Sequence, residues 1–77
     1  MNCNLKELVE LKKEYDSKDI NDVILDLNKL YRLYYPSTIS KMTSINQNTI
    51  EAYKYGRQKP SFGNYIILLE LSNTVQN

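Results

Sequence analysis

The chain has 77 residues, 42% of them apolar and 25% charged, with a mean hydropathy of −0.54 and a formal net charge of +1. A chain of this size builds one domain and buries only about 60% of the surface its unfolded form exposes, which leaves no room for a deep catalytic cleft beside a full core. With no histidine and two glycines, it also lacks the means for His-activated nucleophiles and the usual phosphate-cradling glycine loops, so neither an enzymatic activity nor a cofactor is expected.

Cys3 is the only cysteine, so no intramolecular disulfide can form and nothing marks an oxidising compartment. The opening MNCNLKELVELKKEY lacks the apolar core of a secretion signal. The longest wholly apolar run, Ile66 to Leu69, falls far short of the roughly 20 residues that span a bilayer. The expectation is a soluble cytoplasmic protein with no membrane contact. Charge is unevenly spread: residues 1–35 carry six Lys/Arg against seven Asp/Glu, whereas Lys41, Lys54, Arg57 and Lys59 leave the second half basic over a short stretch. Such a local excess marks a contact surface more than the net charge does.

In chain order, the first segment, about 4–15, places Leu5, Leu8, Val9, Leu11 and Tyr15 on one stripe of an amphipathic helix, with charges of alternating sign on the other. The DSKD that follows breaks the pattern, and Ser17 or Asp19 can cap the next helix. That second segment is the clearest. Ile20, Val23, Ile24, Leu27, Leu30, Tyr31 and Tyr34 follow i, i+3, i+4, i+7 spacing over about four turns. Asp16, Asp19, Asp22 and Asp26 read as helix-start acids, which suit the positive end of the dipole, and no metal is expected.

Pro36 ends this helix and restricts Tyr35 before it, yet suits the first position of a new one. PSTISKMTS therefore reads as a short helix with Ile39 and Met42 facing inward. SINQ is a turn, and QNTIEAYKY a further helix with Ile50 and Tyr53 inward, stopped by Gly56. RQKPS is an exposed loop. FGNYIILLELSN is a last helix capped by Ser61 or Asn64, and its apolar stripe is wider than one core needs. Ile67 and Leu71 should then be covered by the N-terminal helix or by a second subunit. The whole is expected to be all-α, with about five short helices in a single domain, residues 1–18 forming an N-terminal helical extension and 19–75 the core.

Two short helices joined by a tight turn, the second starting with amide side chains, have a specific look. Ile39-Ser40, Ser44-Ile45-Asn46, Gln47-Asn48-Thr49-Ile50, Tyr53 and Gly56-Arg57-Gln58-Lys59-Pro60 appear in ungapped order. On these residues the chain, over about 30–72, resembles the lambda-repressor and Cro-like helix-turn-helix family. The resemblance implies a double-stranded DNA-binding transcriptional regulator, a repressor in the commonest case, working as a homodimer. It places Gln47, Asn48, Thr49 and Ala52 on bases in the major groove, and Ser37, Asn46, Lys54, Tyr55, Arg57 and Lys59 on the sugar–phosphate backbone. Physical chemistry agrees, since Gln or Asn can pair both N6 and N7 of adenine, helix N-termini attract phosphate, and basic residues add sequence-independent attraction.

The chain departs from the family at four positions. Pro36 stands where a glutamine often clamps phosphate, Lys54 replaces a common glutamate, Ala52 a longer polar reader, and Ser72 a leucine. Asn, Lys, Ile and Tyr total 31 residues, types with A/T-rich codons, which suits a low-GC bacterium or its phages and plasmids. The alternative expectation is a protein-binding module on the same scaffold, an antirepressor, antitoxin or inhibitor that meets its partner through the N-terminal half. For Gln47, Asn48 and Thr49 the competing structural reading is helix capping.

Overall fold

The computed structural model describes residues 5–75; Cys3 lies outside them. Five helices follow one another: α1 (Leu5–Ser17), α2 (Ile20–Leu33), α3 (Pro36–Thr43), α4 (Gln47–Lys54) and α5 (Phe62–Val75), with no strand among the described residues. The expected all-α architecture and the order of elements hold.

Local signals set the boundaries. Asp19 caps α2, its carboxylate accepting the Asp22 N–H at 2.9 Å, while the Asp22 carboxylate accepts the Asp19 N–H at 3.4 Å. This reciprocal pairing satisfies donors that a helix start leaves orphaned. Ser61 caps α5 by accepting the Asn64 N–H at 3.3 Å. At the other end of α2, Tyr34 and Tyr35 are both extended, as the residue before a proline must be, and Pro36 opens α3. Gly56 adopts φ +76°. The Arg57 N–H reaches the Ala52 carbonyl at 2.8 Å and the Gly56 N–H that of Tyr53 at 3.3 Å, the paired bonds of a Schellman stop.

The core gathers around α2, which packs against α5 and α4, while α3 and α4 pack on each other. Val23, Leu27, Leu30, Ile39, Ile50 and Leu68 are almost wholly buried. Ser72, where a larger apolar residue was the expectation of the family pattern, is buried as well.

Three inward assignments need correction. Met42 is 46% exposed, because an eight-residue helix has only two turns and Ile39 already fills the position facing the core. The α1 stripe is mostly uncovered, since Leu5, Leu8, Val9 and Leu11 are all exposed and only Tyr15 is buried. Finally, α1 does not cover Ile67. It reaches α5 at the ring of Tyr15, 4.5 Å from that of Tyr65 and 5.7 Å from that of Phe62. Ile67 stays 44% exposed while Leu71 packs against the core.

The α1–α2 joint is polar and tightly held. The Tyr15 hydroxyl donates to the Pro60 carbonyl. Asp26 accepts from the Lys18 ammonium at 2.6 Å and from the Tyr65 hydroxyl at 3.0 Å. Asp16 pairs with Lys12 at 2.7 Å. The acids near the start of α2 therefore serve as caps and ion-pair partners, and among the described residues no cluster of His, Cys, Asp or Glu could hold a metal ion. No helix among them is long and apolar enough to cross a membrane.

Candidate nucleic-acid interface

Three residues, Ser44-Ile45-Asn46, turn the chain from α3 into α4. Ser44 takes the left-handed conformation at φ 64°, a conformation that costs a non-glycine residue energy. Buried Ile45 plugs the corner. Two hydroxyls staple it: Ser40 donates to the Ile45 carbonyl at 2.6 Å, and Thr43 accepts the Ile45 N–H at 3.2 Å while donating to the Ile39 carbonyl at 2.8 Å. The relative placement of α3 and α4 is thus fixed by both packing and hydrogen bonds.

Buried Ile50 and Tyr53 anchor one face of α4. The opposite face carries Asn48, Glu51, Ala52 and Tyr55, the spacing at which side chains stack along one side of a helix. Asn48 is exposed, and its side-chain amide makes no hydrogen bond to the described residues, so its donor and acceptor are both available. Gln47 is exposed too, but its amide donates to the Glu51 carboxylate at 3.1 Å. Capping falls to Asn46, whose side-chain oxygen accepts the Asn48 N–H at 2.8 Å. Cap and exposed amides are therefore different residues.

The remaining expected contacts divide. Ser37 is exposed in the first turn of α3, Tyr55 is exposed at the end of α4, and Ala52 and Thr49 are half-buried, Thr49 on the flank nearer the core. Lys54 and Arg57 both approach Tyr55, the ammonium 5.5 Å and the guanidinium 5.9 Å from its ring centre. Among the described residues neither has a carboxylate partner, so a pair of cations is displayed at the C-terminal end of α4. Lys59 does not join them. Its ammonium donates to the carbonyls of Lys18 at 2.6 Å and Tyr15 at 3.1 Å and lies 4.5 Å from the Tyr15 ring, which turns it inward beneath α1. The expectation that Lys59 grips phosphate is corrected accordingly.

Glu51 is a residue of this outward face that the sequence did not single out. It lies between Asn48 and Tyr55 on the outward face, where a carboxylate can accept from a cytosine amino group or hold Gln47 in place. The signal was present, since Glu51 stands three residues after Asn48.

The chain matches no family model, no curated protein and no solved structure.

Proposed function

We propose that the chain is a sequence-specific double-stranded DNA-binding transcription regulator, a repressor in its simplest form, built on a lambda-repressor-like helix-turn-helix made of α3, the Ser44–Asn46 turn and α4. The observation that carries this reading is the separation of roles in the first turn of α4. Asn46 does the capping, which leaves the Asn48 amide uncommitted beside Gln47 on the face opposite the buried anchors. Amides presented this way suit bidentate pairing with adenine in the major groove. Ala52 offers a methyl for thymine contact one turn on. Lys54, Tyr55 and Arg57, with Ser37 at the start of α3, supply the backbone contacts that set register without reading sequence. The protein acts as a homodimer on a twofold site, in keeping with the half-site geometry of such regulators, and its amino-acid composition, rich in Asn, Lys, Ile and Tyr, fits a phage, plasmid or other mobile element.

Titration with random duplex DNA at low salt tests the reading. Micromolar binding that weakens steeply as salt rises supports it. Selection of bound sites from a random pool then gives the operator. No binding to any duplex removes it.

A second reading, a protein-binding module acting as antirepressor, antitoxin or inhibitor, is favoured by the exposed leucines in the N-terminal half. It predicts that the same titration stays flat.

A further inference from the structure

Where the end of α2 meets the end of α4, the surface opens into a cleft of about 320 Å³. Residues 31–35, the last turn of α2 and its link to α3, form one wall, and Lys54 of α4 stands opposite. Arg32 and Lys54 thus bring two cations from different helices to one opening. No carboxylate lines it. The ion pairs formed among the described residues, Lys12–Asp16 and Lys18–Asp26, involve neither cation. Arg32 is exposed, and its guanidinium has no hydrogen-bond partner among the described residues. Two like charges held at one opening repel each other, and an anion between them reverses the sign of that interaction.

The start of α3 shares this corner. Tyr35, its N-cap, lines the cleft, is 78% exposed and gives no side-chain cap. The Thr38 and Ile39 N–H groups both donate to the Tyr35 carbonyl, and Pro36 has no N–H. The corner therefore displays a phenol and cations, with no acid to neutralise them.

The cleft also lies where a duplex would run. Ile50 and Tyr53 mark the buried face of α4, and Asn48 and Tyr55 the opposite one. At about 3.6 residues per turn, Lys54 falls on the flank between these faces. A helix with its side chains is about 10–12 Å across, and the major groove is about 12 Å wide. With Asn48 on the bases, the two flanks of α4 face the two phosphate backbones. The Lys54 flank then sets the cleft against one of them.

We infer that the cleft seats one backbone phosphate of the duplex, held between the Arg32 guanidinium and the Lys54 ammonium with Tyr35 beside them. The inference rests on the DNA-binding reading and extends the contact surface to α2, a helix outside the helix-turn-helix. The planar guanidinium can meet two phosphate oxygens at once, whereas Lys54 acts as a point charge. Arg32 follows directly on buried Leu30 and Tyr31, so the phosphate is positioned against the core helix. Contacts of this kind set the register of α4 without reading sequence.

Salt titrations with random duplex, using the intact protein, test this. Arg32→Gln should lower the slope of log K against log[salt] by about 0.9, and Arg32→Lys, which keeps the charge, should restore it. Lys13→Gln removes a cation from α1, away from the cleft, and should leave the slope unchanged. Arg32 also suits the negative end of α2, a role that would show in the melting temperature and not in the slope. On a selected operator, ethylation of one phosphate per half-site should weaken the wild type but no longer weaken Arg32→Gln or Lys54→Gln further. A wild-type slope in Arg32→Gln, an equal loss in Lys13→Gln, or ethylation that still weakens Arg32→Gln at every phosphate would each overturn the inference while leaving the DNA-binding reading intact. A wild type that binds no duplex removes both.

Discussion

The ammonium group of Lys59 lies 4.5 Å from the ring centre of Tyr15 and donates to that residue's own carbonyl at 3.1 Å, across 44 positions of sequence. A second bond, to Lys18, makes Lys59 a cationic cap on the C-terminal end of α1, where unsatisfied carbonyls favour positive charge. The contact ties the 57–60 loop to the N-terminal helix.

Lys59 and Arg57, two residues apart, should therefore behave differently. Lys59→Met should cost about 1.5–3 kcal/mol, the range for hydrogen bonds to charged groups. It should speed hydrogen exchange in α1 and leave the salt dependence of duplex binding unchanged. Arg57→Ala should lower the salt slope by about 0.9 with little effect on denaturation. A reduced slope in Lys59→Met would return that lysine to the interface.

The joint should also fail at high pH. Burial raises the Tyr15 and Tyr65 hydroxyls above their ordinary value of 10.0, with neighbouring tyrosines and Asp16 adding to Tyr15, and Asp26 to Tyr65. The hydrogen bond to Asp26 raises the Lys18 ammonium above 10.5. Each group holds its proton more tightly when folded. Its contribution is thus complete below the unfolded value and is lost as pH rises through the folded one. Denaturant melts should show stability falling from about pH 10 upward, with the share of phenolate absorbance that belongs to Tyr15, Tyr31 and Tyr65 appearing late and cooperatively. Gradual ionisation of Tyr15 and Tyr65 near 10.0, without unfolding, would count against this arrangement.

Tyr31 offers the opposite case. Its hydroxyl is buried without a hydrogen-bond partner among the described residues, and burial keeps it protonated well above the ordinary tyrosine range. Leaving a buried donor unsatisfied costs about 1–3 kcal/mol, so Tyr31→Phe should raise the melting temperature. A clear drop would mean that the hydroxyl is satisfied in solution.

Gly56 tests the stop of α4. A Cβ there would sit 3.4 Å from the Ile24 Cδ1, a contact that need move little, but the φ of +76° remains. Gly56→Ala should cost about 1–2 kcal/mol from backbone strain. Stability equal to the wild type would show that the turn relaxes to another conformation.

The helices were legible because their signals are local. The stripe of α2, the Pro36 break, the Gly56 stop and the Asp19 cap each act within one or two turns. What escaped depends on the third dimension. Lys59 has a long side chain beside two exposed-looking neighbours, and nothing nearby in sequence announces Tyr15 or Lys18. Leu25 and Leu33 fall outside the α2 stripe and were not singled out, since an isolated exposed leucine is ordinary. The α1 stripe was legible as a stripe, but not as one left without cover. Ile67 and Leu71 share a flank of α5, yet only Leu71 reaches the core. On α4, attention to the amides hid Glu51, and capping could not be assigned among neighbouring polar residues until Asn46 was placed against the Asn48 N–H.

The most direct test of the account compares binding to a selected operator with binding to random duplex for Asn48→Ala, Gln47→Ala and Asn46→Ala. Asn48→Ala should lower the specificity ratio about five- to hundredfold, the worth of one bidentate base contact, and leave thermal stability and random-duplex binding nearly unchanged. Gln47→Ala should lower the ratio less, because its amide donor is already held by Glu51. Asn46→Ala should instead lose about 1 kcal/mol of stability as a missing cap and keep the ratio. An unchanged ratio in both Asn48→Ala and Gln47→Ala would contradict sequence readout by the start of α4.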